Sequence, residues 1–459
     1  MFRNIKKIHF VGIGGIGMSA IAEVLYKKGY KISGSDKSRN EVTERLEKLG
    51  IKIFEGHSAN NIQEGVDALV YTSAVLLDNP EIAEAIRRQI PVVKRSEMLA
   101  ELMRNQYGIC IAGTHGKTTT TSMTGLVLRE GGLDPTIIVG GILNELGNSN
   151  AWLGKGSYIV VEADEFDKTF LKLNPVIAVI TAMEAEHLDT YKDLNEIKNA
   201  FTEFANKIPF YGFITVCIDE ENIMDILPLI NRKVFTYGLK YESDIRAVDI
   251  KYNQSSSEFN IHYFNENLGK IKLQIPGSHN IKNALAAIMV GKKLGVEFSA
   301  IKKSLESFKG AFRRFEVKYD GEILVIDDYA HHPTEVAATL TGIKKGWNRR
   351  LIAVFQPHLY SRTKDFAKDF GKAFLNSDVF ICTDIYPARE EPIEGVTGEL
   401  ITDEAKNYGH RNVIYEKDKN KIPDLLFNCC KEGDIIVTMG AGDINKQGEI
   451  FIQLLKQKN

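Results

Sequence analysis

The stretch Tyr107–Gly132, YGICIAGTHGKTTTTSMTGLVLREGG, constrains the rest of this chain more than any other. Ile109–Ala112 is a short apolar run of the buried-strand kind, and Gly113–Gly116 reads as a tight loop. From Lys117 a helical pattern runs to Glu130 and stops at Gly131 and Gly132. A strand, a glycine loop and a helix N-terminus form an anion cradle, because backbone N–H groups point inward and the helix dipole favours negative charge. A lysine in that place bridges the outer phosphates of a nucleotide, and a hydroxyl holds magnesium. The general pattern G-x-x-x-x-G-K-[ST] is met except at its first position, where Ile111 replaces glycine. The bland alternative is an ordinary strand-to-helix turn.

At 459 residues the chain is too long for one core, and roughly two to four domains are expected. Its 44% hydrophobic and 26% charged residues describe a globular protein. A net charge of −2 gives no electrostatic reason to expect nucleic acid or an anionic membrane as partner. Five scattered cysteines point to reduced thiols rather than a disulfide framework. The apolar run near the N-terminus is too short and glycine-rich for a signal peptide, and no run of ~20 apolar residues suggests a membrane span. A cytoplasmic location is the simplest expectation.

In the first segment, residues 1–105, a strand candidate at Lys7–Val11 leads into Gly12-Ile13-Gly14-Gly15-Ile16-Gly17 and then a helix. A second strand ends in Asp36. The simplest reading is a nicotinamide dinucleotide site with Asp36 on the ribose. The loop suits any diphosphate at a helix N-terminus, however, and a scaffold with no ligand is a third reading. Short strands alternate with helical runs up to Val92-Val93, the mark of a parallel sheet. Ser73 sits just past a strand end, where α/β folds bind ligands.

In the second segment, residues 106–310, the strand Ser157–Val161 ends in Glu162-Ala163-Asp164-Glu165. A carboxylate at a strand tip beside a phosphate loop is placed to hold magnesium. Val176–Ile180 is followed by Glu184, Glu186, His187 and Asp189, a cluster suited to a metal or phosphate. Residues 243–276 tend to alternate apolar and polar side chains, an antiparallel patch added to a parallel core. Gly277–Asn283 then opens an alanine-rich helix predicted over Ala284–Leu294. There His279, Asn280 and Asn283 suit a purine edge, the alternative being helix capping by Ser278 or Asn280.

In the third segment, residues 311–459, Asp327-Asp328-Tyr329-Ala330-His331-His332 follows one strand. Gln356-Pro357-His358-Leu359-Tyr360-Ser361-Arg362 follows the next, and Asp384–Glu390 and Gly440–Ile444 follow two more. Every strand ends in polar, ligand-like residues, as in a doubly wound domain whose carboxyl edge faces a cleft.

In this order, the runs VGIGGIGMSAIAEVL, AGTHGKTTTT, VEADE, EAEHLDTY, GSHNIKNALAA, FRRFE, DDYAHHPTE, FQPHLYSRT and TDIYPARE resemble the Mur ligases across essentially the whole chain. The resemblance implies an α/β fold of three domains: a Rossmann-like UDP-sugar domain (1–105), a central P-loop ATPase domain with the antiparallel patch (106–310), and a Rossmann-like amino-acid domain (311–459). It also implies ATP and Mg2+, with L-alanine joined to the carboxylate of UDP-N-acetylmuramate through an acyl phosphate. By family pattern, Gly113, Thr114, His115, Gly116, Lys117, Thr118 and Thr119 would hold ATP, and Lys117 would contact the transferring phosphate. Removing so electrostatic a group is expected to spare the fold. Thr118 and Glu162 would hold one magnesium and His187 a second, while His279, Asn280 and Asn283 would meet adenine. Gly12, Gly14, Gly15 and Gly17 would carry the UDP diphosphate, displacing the nicotinamide reading. Tyr329, His331, His358 and Arg362 would line the alanine and acyl-phosphate site.

Two positions depart from the pattern. Leu359 stands where many members carry arginine, and Ala182 where asparagine is usual. The nearest rival activity is a ligase that adds a recycled peptide to UDP-N-acetylmuramate. A NAD-dependent dehydrogenase would leave Lys117, Glu162 and His187 without a role, and a P-loop switch or motor would hydrolyse ATP independently of UDP-N-acetylmuramate. A monomer or homodimer is expected, with neither nucleic acid nor membrane as partner.

Overall fold

The computed structural model describes residues 5–185, 190–388 and 390–458. The chain forms two compact units. One comprises Met1–Val248, Asn260–Ile271 and Lys282–Phe308, and the other Asp249–Phe259, Lys272–Ile281 and Lys309–Asn459.

A five-stranded sheet opens the first unit. Its strands lie in the order Lys52–Glu55, Lys31–Asp36, Lys7–Val11, Ala68–Tyr71, Val92–Lys94, and every neighbouring pair is parallel. The order reverses between Lys7–Val11 and Ala68–Tyr71, so a crevice opens beyond Val11 and Tyr71. The glycine loop and Ser73 follow those two strand ends.

A ten-stranded sheet follows. Its parallel centre places Tyr107–Ala112 between Ile177–Ile180 and Tyr158–Glu162. The phosphate-loop helix occupies Lys117–Glu130, the span expected from its sequence. At one edge Thr136–Leu143 and Ser149–Trp152 make an antiparallel hairpin that sequence reading did not assign. At the other edge lie Ile245–Asn253, Ser256–Tyr263 and Glu266–Leu273, joined by two-residue turns that oblige antiparallel pairing. The turn before the last strand is only Phe264 and Asn265, because that strand already starts at Glu266.

In the second unit, a six-stranded sheet runs Glu316–Asp320, Leu324–Asp328, Ile435–Met439, Leu351–Phe355, Val379–Cys382, Val413–Tyr415. Only the first pair is antiparallel. Alternate residues separate onto its two faces. Leu324, Ile326, Ala353, Phe355 and Val437 enter one core, and Val325, Ile352, Val354 and Ile436 the other. Both faces are covered, so these strands read as continuous apolar runs rather than alternating ones.

Candidate active site

The phosphate loop is shaped by two glycines that no other residue could replace without movement. Gly113 has φ 136° and Gly116 φ 81°, both in the region that favours glycine. A Cβ on Gly113 would lie 2.1 Å from Thr181 Oγ1, and one on Gly116 2.6 Å from Asn283 Oδ1. The loop is tied to the end of the neighbouring strand. Thr114 N donates to Ala182 O at 3.0 Å, and the Thr181 hydroxyl donates to the carbonyls of Ala112, at 3.2 Å, and His115. Ala182, one of the two departures, therefore meets the loop through its main chain. The Thr114 hydroxyl is buried and has no hydrogen-bond partner among the described residues.

Lys117 Nζ donates to Gly113 O at 2.6 Å and to Glu165 Oε1 at 2.9 Å. Glu165 is 1% exposed, and its main-chain carbonyl accepts the Tyr191 hydroxyl at 2.6 Å. The Glu162 carboxylate at the neighbouring strand end accepts Gly140 N–H at 2.6 Å, and His115 Nε2 lies 3.3 Å from Glu184. Thr118 and Thr119 occupy the first turn of the helix. Positive helix end, lysine, hydroxyls and carboxylate thus converge at one strand edge, which suits a magnesium–nucleotide triphosphate.

The five-stranded sheet presents the second cradle. Gly12 N and Ile13 N donate to Ser35 O at 2.8 and 3.0 Å, and Gly14 N donates to Asp36 Oδ2 at 2.7 Å. Asp36, read first from sequence as a ribose ligand, holds the glycine loop through one of its carboxylate oxygens. Gly15 precedes the helix Ile16–Lys27 as its cap, and Arg95 packs over Gly17 and pairs with Asp164 at 3.3 Å. Behind the loop, the Glu81 carboxylate is buried, which by itself would raise its pKa. Hydrogen bonds from His9, Ser35 and Asn61 outweigh that and hold it below the usual carboxylate range.

In the second unit, Tyr329, His331, His358 and Arg362 come together at the ends of Leu324–Asp328 and Leu351–Phe355. The His331 ring lies 5.4 Å from Tyr329 and 5.9 Å from His358, and Arg362 reaches His358 Nδ1 at 3.4 Å. His358 stacks on Tyr386, and the Tyr329 ring lies beside both Arg313 and Arg314. His331 Nδ1 contacts Tyr329 O at 3.0 Å, and a carbonyl only accepts, so Nδ1 carries the proton. Nε2 keeps the lone pair. Burial pushes His331 down to about 3, against the opposing pull of Glu335, so the ring is neutral near pH 7. Burial pushes the Asp328 carboxyl up to about 6. Leu359, the other departure, sits between His358 and the helix Tyr360–Ala373 with φ 71° and ψ 137°, a conformation costly for any side chain.

His279, Asn280 and Asn283 lie within the first turns of a helix spanning Ser278–Lys293, which starts earlier than the predicted Ala284. Asn280 Nδ2 donates to Pro276 O at 2.7 Å, and Asn283 abuts Gly116 of the phosphate loop. His187 lies outside the described residues. Sequence reading singled out neither Arg95 nor Asn150. A cation opening a helix was Arg95's available signal, and Asn150 offered none.

The three parts of this layout match three family descriptions. Residues 7–107 match the Mur ligase family, catalytic domain; residues 111–291 the Mur ligase middle domain; and residues 313–442 the Mur ligase, glutamate ligase domain. A chain named UDP-N-acetylmuramate–L-alanine ligase from Geotalea uraniireducens is 53% identical over 457 residues, 99% of each chain. One of the same name from Salinibacter ruber is 49% identical, over 99% of this chain and 96% of its own. The crystal structure of UDP-N-acetylmuramate-alanine ligase from Thermotoga maritima superposes with a TM-score of 0.85 at 30% identity, covering 99% of this chain and all of that one. A murein peptide ligase from Psychrobacter arcticus gives 0.73 at 25% identity, covering 98% of both chains. With two phosphate-type cradles in one unit, a histidine–arginine cluster in the other and family matches over all three sheets, this chain belongs to the Mur ligase family.

Proposed function

We propose that this protein joins L-alanine to the carboxylate of UDP-N-acetylmuramate at the expense of ATP, a cytoplasmic step of peptidoglycan precursor synthesis. The observation that carries the reading is the end-to-end similarity, at 53% identity, to a chain bearing that activity in its name. The γ-phosphoryl group of ATP passes to the muramate carboxylate, giving an acyl phosphate and ADP. The alanine amine attacks the acyl carbon, the tetrahedral adduct expels phosphate, and the amine loses its proton.

The chain's own residues supply placement and charge. Backbone N–H groups at the start of the helix Lys117–Glu130 and the Lys117 ammonium neutralise the phosphoryl oxygens. The Thr114 hydroxyl, buried in the cradle, adds a donor fitted to a phosphate. Thr118, Glu162 and His187 would hold magnesium, which when bound offsets charge between the phosphates. Asn283 stands against the loop, with His279 and Asn280 one turn earlier, to meet the adenine. The glycine loop Gly12–Gly17 takes the UDP diphosphate at its helix N-terminus. Arg362 forks onto the alanine carboxylate, and Tyr329, His331 and His358 pack around the amino acid.

Phosphate release with UDP-N-acetylmuramate and L-alanine, added separately and together, tests this. Release only with both, plus an amide product of the expected mass, is the predicted result. Release without the sugar nucleotide would indicate a switch. Turnover with a peptide but not with alanine would move the activity to peptide recycling, and NAD binding would revive the dehydrogenase reading.

A further inference from the structure

Asn150 has no part in the chemistry above, yet it is fully buried and its amide is spent on the first turn of the helix that follows the glycine loop of the other sheet. Its Nδ2 donates to Ile16 O at 2.5 Å and to Ser19 Oγ at 3.1 Å. Arg45 donates to Asn150 Oδ1 at 2.8 Å. Arginine only donates, so the amide oxygen must face Arg45 and the NH2 group must face Ile16. Beside it, Ser149 Oγ donates to the buried Glu23 carboxylate at 2.9 Å and receives Arg45 at 3.0 Å, while Arg45 also pairs with Glu23. Ser19, Glu23, Ser149 and Asn150 are all buried. The same hairpin carries Gly140, whose N–H holds Glu162. One element therefore grips the helix that follows the glycine loop with its second strand and the carboxylate of the phosphate-loop edge with its first.

We infer that Asn150 is a positioning residue that sets the register of the sugar-nucleotide loop against the ATP loop. The inference rests on the ligase reading. An apolar contact between the two sheets would hold them together but would tolerate sliding. A directional, buried hydrogen-bond network does not. Register matters because the carboxylate acceptor must meet the γ-phosphate in line, and a misplacement of ~1 Å costs about 100-fold in rate.

Asn150→Ala and Arg45→Met, made in the full chain, test this by calorimetric binding of UDP-N-acetylmuramate and by steady-state kinetics. Asn150→Ala is expected to weaken sugar-nucleotide binding by about tenfold and lower kcat, with the KM for ATP changed by less than about twofold. Arg45→Met should move the same quantities in the same direction by less. A merely structural role would lower kcat through loss of folded enzyme and leave both KM values alone. Sugar-nucleotide affinity unchanged in variants that melt like the parent would overturn the inference, as would equal weakening of both nucleotides. If Asn150→Ala does not fold, Arg45→Met decides alone. An unaltered chain that binds UDP-N-acetylmuramate without forming amide defeats only the ligase reading. Absence of binding defeats both.

Discussion

Lys117 is the residue whose removal is expected to take away most turnover, and the structure adds a second consequence. Its ammonium lies 2.9 Å from Glu165 Oε1, and that carboxylate is 1% exposed. At an effective dielectric of about 20, unit charges at this distance attract by roughly 6 kcal/mol, before either group's desolvation is subtracted. Breaking a buried pair by removing one partner costs about 3–5 kcal/mol. The Lys117 side chain is 18% exposed, so water reaches the pair and the lower end applies, ~3 kcal/mol. Lys117→Ala should therefore lose turnover by about 10²–10³-fold and stability as well, contrary to the expectation that the fold is spared. Lys117→Ala combined with Glu165→Gln removes the buried carboxylate charge that faced the lysine. Tyr191 binds the main-chain carbonyl of Glu165 and is untouched by that change. Denaturant titration should place the single variant well below the parent and the double variant most of the way back, with turnover restored in neither. A single variant that unfolds at the parent's midpoint would refute the stability argument. Turnover recovered in the double variant would refute the electrostatic role.

Other outcomes follow from the second unit. Arg313 is buried and donates to Asp327 at 2.8 Å and to Gly440 O and Gly442 O at 2.7 Å each. Arg313→Met should cost that unit about 3–5 kcal/mol in denaturant unfolding, and a loss near zero would show that the fork is not needed. The Asp328 carboxyl, raised from 3.8 to about 6, binds its proton more tightly when folded. Its contribution to stability is complete below pH 3.8 and lost as the pH rises through about 6, so Asp328→Asn should flatten that limb of the stability–pH curve. Arg362→Ala should raise the requirement for L-alanine far more than that for ATP; equal effects would mark a structural residue. The neutral His331 predicts no ionisation from this ring in the rate profile between about pH 5 and 8, and His331→Gln should leave the shape of that profile unchanged while lowering its height.

The α/β class, the two glycine cradles and the segment carrying each strand-end cluster were determined by the sequence alone. Strand, loop and helix are local, with their periods and glycine stops written within a few residues, as at Tyr107–Glu130. Partners far apart in the chain were not. Asp36 reads as a ribose ligand by spacing, and only packing turns its carboxylate onto Gly14. Glu165 reads as one acid among several, and only the tertiary structure makes it the counter-ion of Lys117, 48 residues away. The Thr136–Trp152 hairpin is broken by Gly140, Gly141 and Gly147, so its strands carry little periodic signal, yet it supplies Asn150 to a helix start 134 residues earlier. Local patterns encode elements because each side chain samples only its neighbours. Which buried polar group meets which is decided when the sheets come together, since only then does leaving one unsatisfied carry a cost.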